Sequence, residues 1–357
     1  MLDKSALSIE SKSHFLNFIK PGGTSRGVLH QKESVFLKVT DRNTGKFAWG
    51  ECGILRKLSM DDRPGFEDTI RNLCESPQRF INHIHEEFLE WPSIRFALEM
   101  AFLELENDQQ AIYFPSAFTR GEIGIKINGL IWMSSLEVMI EQLKQKISAG
   151  YSCIKIKIGA INWDEELRLL QSIRKQFNYD EIEIRVDANG AFKPGDEVRH
   201  RLEELGKLDI HSIEQPIAVR QWEDMHDLCK NTPVPIALDE ELIGVLTESE
   251  QKALLDEIKP QYIILKPSLL GGFQASSQWI DLAKERKIAY WITSALESNI
   301  GLNAIAQFTH GQDINMPQGL GTGALYDNNI TSPLFLEGEY IRFNESAKWD
   351  YSFLSSL

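Results

Sequence analysis

The run Cys153-Ile154-Lys155-Ile156-Lys157-Ile158 decides the fold. Side chains alternate along an extended chain, so Lys155 and Lys157 share one face and the three isoleucines share the other. The isoleucines need a covered side. The lysines then face inward, where a charge without a counter-charge is expensive. A sheet with helices outside and a polar interior satisfies both demands.

The flanking sequence repeats the theme. Ile182-Glu183-Ile184-Arg185-Val186 runs into Asp187, and Asp209-Ile210-His211-Ser212-Ile213 into Glu214. Pro235-Ile236-Ala237-Leu238 runs into Asp239, and Tyr262-Ile263-Ile264-Leu265 into Lys266. Ile125-Lys126-Ile127-Asn128 and Ile288-Ala289-Tyr290-Trp291-Ile292 complete seven short apolar runs. Each precedes an amphipathic helical stretch, near 134–149, 163–177, 195–205, 221–229, 247–256, 272–285 and 298–308. Seven β-α units predict an α/β chain whose parallel strands close into a TIM-type barrel. An open doubly wound sheet is the alternative, and no Gly-x-Gly-x-x-Gly turn follows any strand to support it.

The charged residues that end four of these runs, Asp187, Glu214, Asp239 and Lys266, lie 27, 25 and 27 residues apart, one β-α unit each. The C-terminal ends of barrel strands surround one mouth, so three carboxylates and a lysine are expected to converge there. Carboxylates buried together repel unless a cation lies among them. The set is all hard oxygen, which favours Mg²⁺, or Mn²⁺ as a substitute, over zinc. Lys157 and Lys266 would approach from the second and sixth barrel strands. A metal and paired cations also depress a lysine pKa, which suits one of them to act as a base beside a carboxylate.

Lys155-Ile156-Lys157, Asp187-Ala188-Asn189, Glu214-Gln215-Pro216, Asp239-Glu240 and Lys266-Pro267 together resemble the enolase superfamily, in its Lys-x-Lys branch. The resemblance covers nearly the whole chain. It implies a modified (β/α)7β barrel at 121–317, with an α+β capping domain built from 1–120 and the returning segment 318–357. Thr24-Ser25-Arg26-Gly27-Val28, the stretch 93–99, Ile127-Asn128-Gly129-Leu130, the stretch 294–301 and Gly319-Leu320-Gly321-Thr322-Gly323 are most similar to the o-succinylbenzoate synthase family. That family dehydrates 2-succinyl-6-hydroxy-2,4-cyclohexadiene-1-carboxylate in menaquinone biosynthesis. The resemblance implies that Asp187, Glu214 and Asp239 bind Mg²⁺ and that Lys157 moves the proton. Lys266 would face the opposite side of the ring, and Lys155 would support Lys157. Ser25, Arg26, Asn128, Ser294, Gly319 and Leu320 would contact substrate; Asn189 and Glu240 would stand behind the ligands. N-acylamino-acid racemases, dipeptide epimerases and muconate cycloisomerases belong to the same branch. The loop Met316-Pro317-Gln318-Gly319-Leu320-Gly321 lacks the Asp-x-Asp that epimerases use for a substrate ammonium.

Composition narrows the rest. The chain of 357 residues is 42% hydrophobic and 25% charged, as in folded globular proteins. A net charge of −14 argues against nucleic acid or an anionic membrane as partner, and leaves a small carboxylate substrate open. No apolar run reaches membrane-spanning length, and the N-terminal Met-Leu-Asp-Lys-Ser has no signal-like pattern. Cys52, Cys74, Cys153 and Cys229 form no metal-like spacing and read as reduced thiols. A cytoplasmic enzyme is the expectation, with its oligomeric state left open.

Overall fold

The computed structural model describes residues 2–24, 27–312 and 314–355. The chain opens with three antiparallel strands, β1 (Leu7–Thr24), β2 (Gly27–Asp41) and β3 (Phe47–Cys52), in that order. The expected strand at 35–39 is the last part of β2, and β1 pairs with it from Leu7↔Asp41 to Thr24↔Gly27. The turn into β3 closes on Asp41, whose carboxylate accepts from the Asn43 amide at 2.9 Å and the Thr44 hydroxyl at 2.8 Å. The helix Pro92–Asn107 lies across this sheet. Its approach is close enough to dictate sequence: a Cβ at Gly50 would stand 1.9 Å from the Ala97 carbonyl oxygen. Asp61 anchors the helix start by accepting from Ser93 N at 3.2 Å and Ser93 Oγ at 2.9 Å.

A short strand β4 (Ile125–Lys126) leads into the parallel sheet β5 (Gly129–Ile131), β6 (Cys153–Lys157), β7 (Glu183–Asp187), β8 (Ser212–Glu214), β9 (Ile236–Leu238), β10 (Tyr262–Leu265) and β11 (Ala289–Ile292). Neighbours in the sheet follow chain order throughout. Residues 318–319 close the curl. Gln318 pairs with Ile127 and Gly319 with Thr293, both parallel. Asn128 N donates to Gln318 O at 2.9 Å, and Ser294 N donates to Gly319 O at 3.0 Å. Closure by this bare two-residue strand yields the expected (β/α)7β barrel.

The first expected strand is divided. Ile125 and Lys126 belong to a separate antiparallel sheet with β12 (Leu334–Glu337) and β13 (Tyr340–Phe343), while barrel pairing begins at Gly129. The physical cause is competition for backbone groups: Tyr340 pairs with Lys126 and Ile341 with Ile125. Farther back, 326–328 reach β1, where Asp327 N donates to Asn17 O at 3.1 Å and Asn17 N to Asn328 Oδ1 at 2.7 Å.

Ile154, Ile156 and Ile158 are buried in the same apolar core as Leu169, Leu170 and Ile173 of the following helix. That burial leaves Lys155 and Lys157 no orientation but inward. The four cysteines are free thiols, three of them buried. Among the described residues no helix is long and apolar enough to cross a membrane.

Candidate active site at the barrel mouth

Strand register sets the site. Lys157, Asp187 and Glu214 lie side by side on β6, β7 and β8, and Asp239 and Lys266 follow directly on the ends of β9 and β10. Asp187, Glu214 and Asp239 are all nearly inaccessible, at 1%, 0% and 3% exposure. Lys155 Nζ lies 2.9 Å from Asp187 Oδ2 and also donates to Glu214 Oε2. Lys157 Nζ donates to the same Asp187 oxygen at 2.9 Å and to Asn189 Oδ1 at 2.8 Å. Lys266 Nζ donates to Asp239 Oδ2. The three carboxylates and three lysines expected at the mouth therefore form two adjacent buried ionic groups, Lys155 and Lys157 with Asp187 and Glu214, and Lys266 with Asp239.

Burial would raise the Asp187 pKa, yet Lys155 and Lys157 outweigh it and hold the carboxyl below its usual range. Glu214 goes the other way, to about 8: burial dominates, and the charges of Asp187 and Asp239 reinforce it against Lys155. Burial opposes charge on Lys155 and Lys266 too, but adjacent carboxylates outweigh it and hold both above the ordinary lysine value. The acidified lysines expected from sequence depend on added positive charge. In this network the carboxylates supply the opposite.

Among the described residues, no three His, Cys, Asp or Glu side chains are gathered into a ready cage for a metal. Ammonium groups stand between the carboxylates instead. The donors nonetheless suit a hard divalent ion. They are all carboxylate oxygens, and Glu214 Oε1 is buried with no hydrogen-bond partner.

Asn189 has φ 45°, in the left-handed region that Asn tolerates. This turns its side chain back so that Oδ1 accepts from Lys157 and Nδ2 donates to Glu240 Oε1 at 3.0 Å. Gln215, at φ 39°, accepts from Asp239 N at 3.3 Å and Glu241 N at 3.2 Å through Oε1, so it steers the start of the loop that carries Asp239. Its place after Glu214 was visible in the sequence, but this role was not.

A cavity of about 300 Å³ opens over the network, between the barrel mouth and the β2 side of the N-terminal sheet. Asn128, Ser294 and Gly319 are on its wall, as expected. Ser294 Oγ lies 2.7 Å from Thr322 Oγ1, a neighbour that sequence reading did not single out. A side chain at Gly319 would collide with Thr293 Oγ1 at 2.1 Å, so the closing strand requires glycine there. Leu320 is a correction. It is fully buried in the apolar core and not on the wall, because alternation turns it away from the cavity that Gly319 and Gly321 face. Ser25 and Arg26 lie outside the described residues. Sequence reading also missed Lys32, Trp132 and Leu296 on the wall; Trp132 directly follows β5 and Leu296 lies just past β11, while Lys32 comes from β2, outside the barrel.

The family model described as enolase C-terminal domain-like matches residues 138–345, more than half of the chain. The chain belongs to the enolase superfamily. Within the superfamily it is 46% identical to the o-succinylbenzoate synthase of Desulfotalea psychrophila, over 94% of this chain and 98% of that one. The crystal structure of MenC from Desulfotalea psychrophila superposes with a TM-score of 0.83 at 40% identity, covering 94% of this chain and 99% of the other. An N-succinylamino acid racemase from an Amycolatopsis species is 24% identical over 93% of this chain and 91% of its own length.

Proposed function

We propose that this superfamily member is an o-succinylbenzoate synthase, which dehydrates 2-succinyl-6-hydroxy-2,4-cyclohexadiene-1-carboxylate to 2-succinylbenzoate for menaquinone synthesis. The observation that carries the reading is the 46% identity to a synthase along almost the full length of both chains. The charge of the cavity supports it. Among the described residues, its lining holds seven basic side chains and three acidic ones, on a chain of net charge −14. A positive pocket in a negative protein suits a dianion, and this substrate carries two carboxylates.

Asp187, Glu214 and Asp239 are the residues that would hold Mg²⁺, with Mn²⁺ as a substitute. The chemistry a bound ion supplies is positive charge beside the ring carboxylate. Lys157, as the neutral amine, takes the ring proton next to that carboxylate. The electron pair left behind forms an enediolate. Lys266, across the ring, stabilises that negative charge through its ammonium. Lys157 then returns its proton to the departing hydroxyl. The C–H and C–O bonds have broken, a ring double bond has formed, and water leaves. Asn189 keeps the Lys157 nitrogen oriented through its Oδ1 before and after the transfer.

The test is an absorbance assay on the cyclohexadiene substrate with and without Mg²⁺. Rapid Mg²⁺-dependent conversion, abolished by EDTA, is expected; folded, metal-loaded protein without turnover would overturn the reading. A second reading, racemisation of N-succinylamino acids, is favoured by the two lysines on facing strands and by the racemase relative. Deuterium exchange at Cα in D₂O reports it, and the two activities can coexist.

A further inference from the structure

We propose that Lys32, reaching in from the N-terminal sheet, is the specificity-determining cation that grips the carboxylate at the end of the substrate's succinyl arm. The inference rests on the synthase reading above.

A second substrate carboxylate entering a buried pocket needs a counter-charge. The cations on the cavity wall are mostly committed. Lys155, Lys157 and Lys266 serve Asp187, Glu214 and Asp239. Arg56 is exposed and bridges Glu33 and Asp62. Lys57 is exposed, so binding would have to order it. The Lys146 ammonium lies over the Tyr151 ring, 4.8 Å from its centroid.

Lys32 differs in three respects. First, it is only 3% exposed and yet lines the cavity, so its position is set before any ligand arrives. Second, its two hydrogen-bond contacts leave a donor over, even with the buried Glu297 carboxylate also in its field. Nζ donates to Ser34 Oγ at 2.8 Å and meets Glu51 Oε1 only at 3.5 Å. Glu51 is satisfied without it, accepting from Ser34 Oγ at 2.6 Å, Ser298 N and Gly301 N at 2.9 Å, and Ser298 Oγ at 2.5 Å. An ammonium has three N–H donors, so one remains for a ligand. Third, Gly53 beside Nζ carries no side chain; a Cβ there would stand 3.3 Å from Nζ and 3.2 Å from Glu297 Cγ.

The wall next to Lys32 suits the rest of the arm. Leu29, Ile54, Leu55 and Leu296 give an apolar sleeve for two methylene groups, with the Ser294 hydroxyl on the barrel side. A carboxylate at the end of such a sleeve meets its cation in low dielectric, where the pairing is stronger than in water. The reacting ring then lies at the barrel network, and the arm extends toward the sheet.

The test compares two ligands on the full chain loaded with Mg²⁺: 2-succinylbenzoate, and 2-butyrylbenzoate, whose arm ends in a methyl group. Calorimetry gives both affinities for wild type, for Lys32→Met, and for Lys32→Met combined with Glu51→Gln, which removes both charges and so protects folding. Wild type is expected to prefer the dicarboxylate, and each variant to lose about tenfold or more on succinylbenzoate alone, the scale of a charged hydrogen bond. In turnover, KM rises more than kcat falls. A folded variant that loses both ligands equally, or neither, overturns the role of Lys32 while wild-type turnover keeps the synthase reading intact. Wild type that neither converts the cyclohexadiene nor binds succinylbenzoate overturns both.

Discussion

Replacing Lys155 with methionine probes the buried network most directly. The side chain is one atom shorter and loses its charge. Lys155 Nζ contacts Asp187 and Glu214, whose side chains are 1% and 0% exposed, so the variant leaves Glu214 without an ammonium partner and Asp187 with Lys157 alone. Removing one partner of a buried ion pair costs about 3–5 kcal/mol. A chain of this size loses about 1–2 °C in Tm per kcal/mol, so the expected fall in EDTA is on the order of 3–10 °C. Mg²⁺ reverses the sign of the comparison. In wild type a metal must displace the Lys155 ammonium, whereas in the variant that place is taken by no charge. Stabilisation by millimolar Mg²⁺ should therefore be larger in Lys155→Met than in wild type. Thermal unfolding of both proteins, with EDTA and with Mg²⁺, checks this. An equal loss in both buffers, or no loss in EDTA, would refute the idea that these carboxylates are held by one cation in place of another.

Lys157→Ala and Lys266→Ala should each lower kcat by about 10²–10⁴-fold or more, with circular dichroism unchanged, and full activity in either would sink the assigned roles. Gly50→Ala forces a methyl to within 1.9 Å of the Ala97 carbonyl oxygen and should cost about 1–3 kcal/mol in urea unfolding; a loss under about 0.5 kcal/mol contradicts the close helix–sheet contact. Glu99 has its pKa pushed to about 7, by burial first, against opposing hydrogen bonds from Phe273 N and Gln274 N and the charge of Arg95. The folded state holds this proton longer than the unfolded state, so its contribution is complete below about pH 4.5 and is lost as pH rises toward 7. Wild type should lose up to about 3 kcal/mol more than Glu99→Gln across that window, and parallel pH profiles would exclude the effect.

Much of the barrel was legible because its signals are local. The isoleucines and lysines of 153–158 reveal their two faces by alternation alone, and the observed burial follows it. The charged residues 187, 214, 239 and 266 each end an apolar run, so parallel pairing brings them to one mouth whatever the details of the helices. The N-terminal hairpin was only half legible. Leu7 and Ile9 alternate with Ser8 and Glu10, which is a strand signal, but the polar middle of β1 hides its 18-residue length. Leu320 was misread because the resemblance carried 319–320 across as one segment, whereas strand alternation decides which residue of 319–321 faces the cavity.

The sequence by itself determined the barrel, its inward lysines and the convergence of three carboxylates. These follow from the period of a strand and the spacing of repeated units, both properties of short segments. Tertiary structure decided the rest. The closing strand is two residues long and exists only because Ile127 and Thr293 flank it. Lys32 reaches the cavity only because Glu51 is tied to Ser298, 247 residues away, which locks the N-terminal sheet to the barrel beside the mouth. Contacts at such separations leave no periodic trace in the chain, since each is a single complementary pair whose partner is chosen by packing and not by spacing.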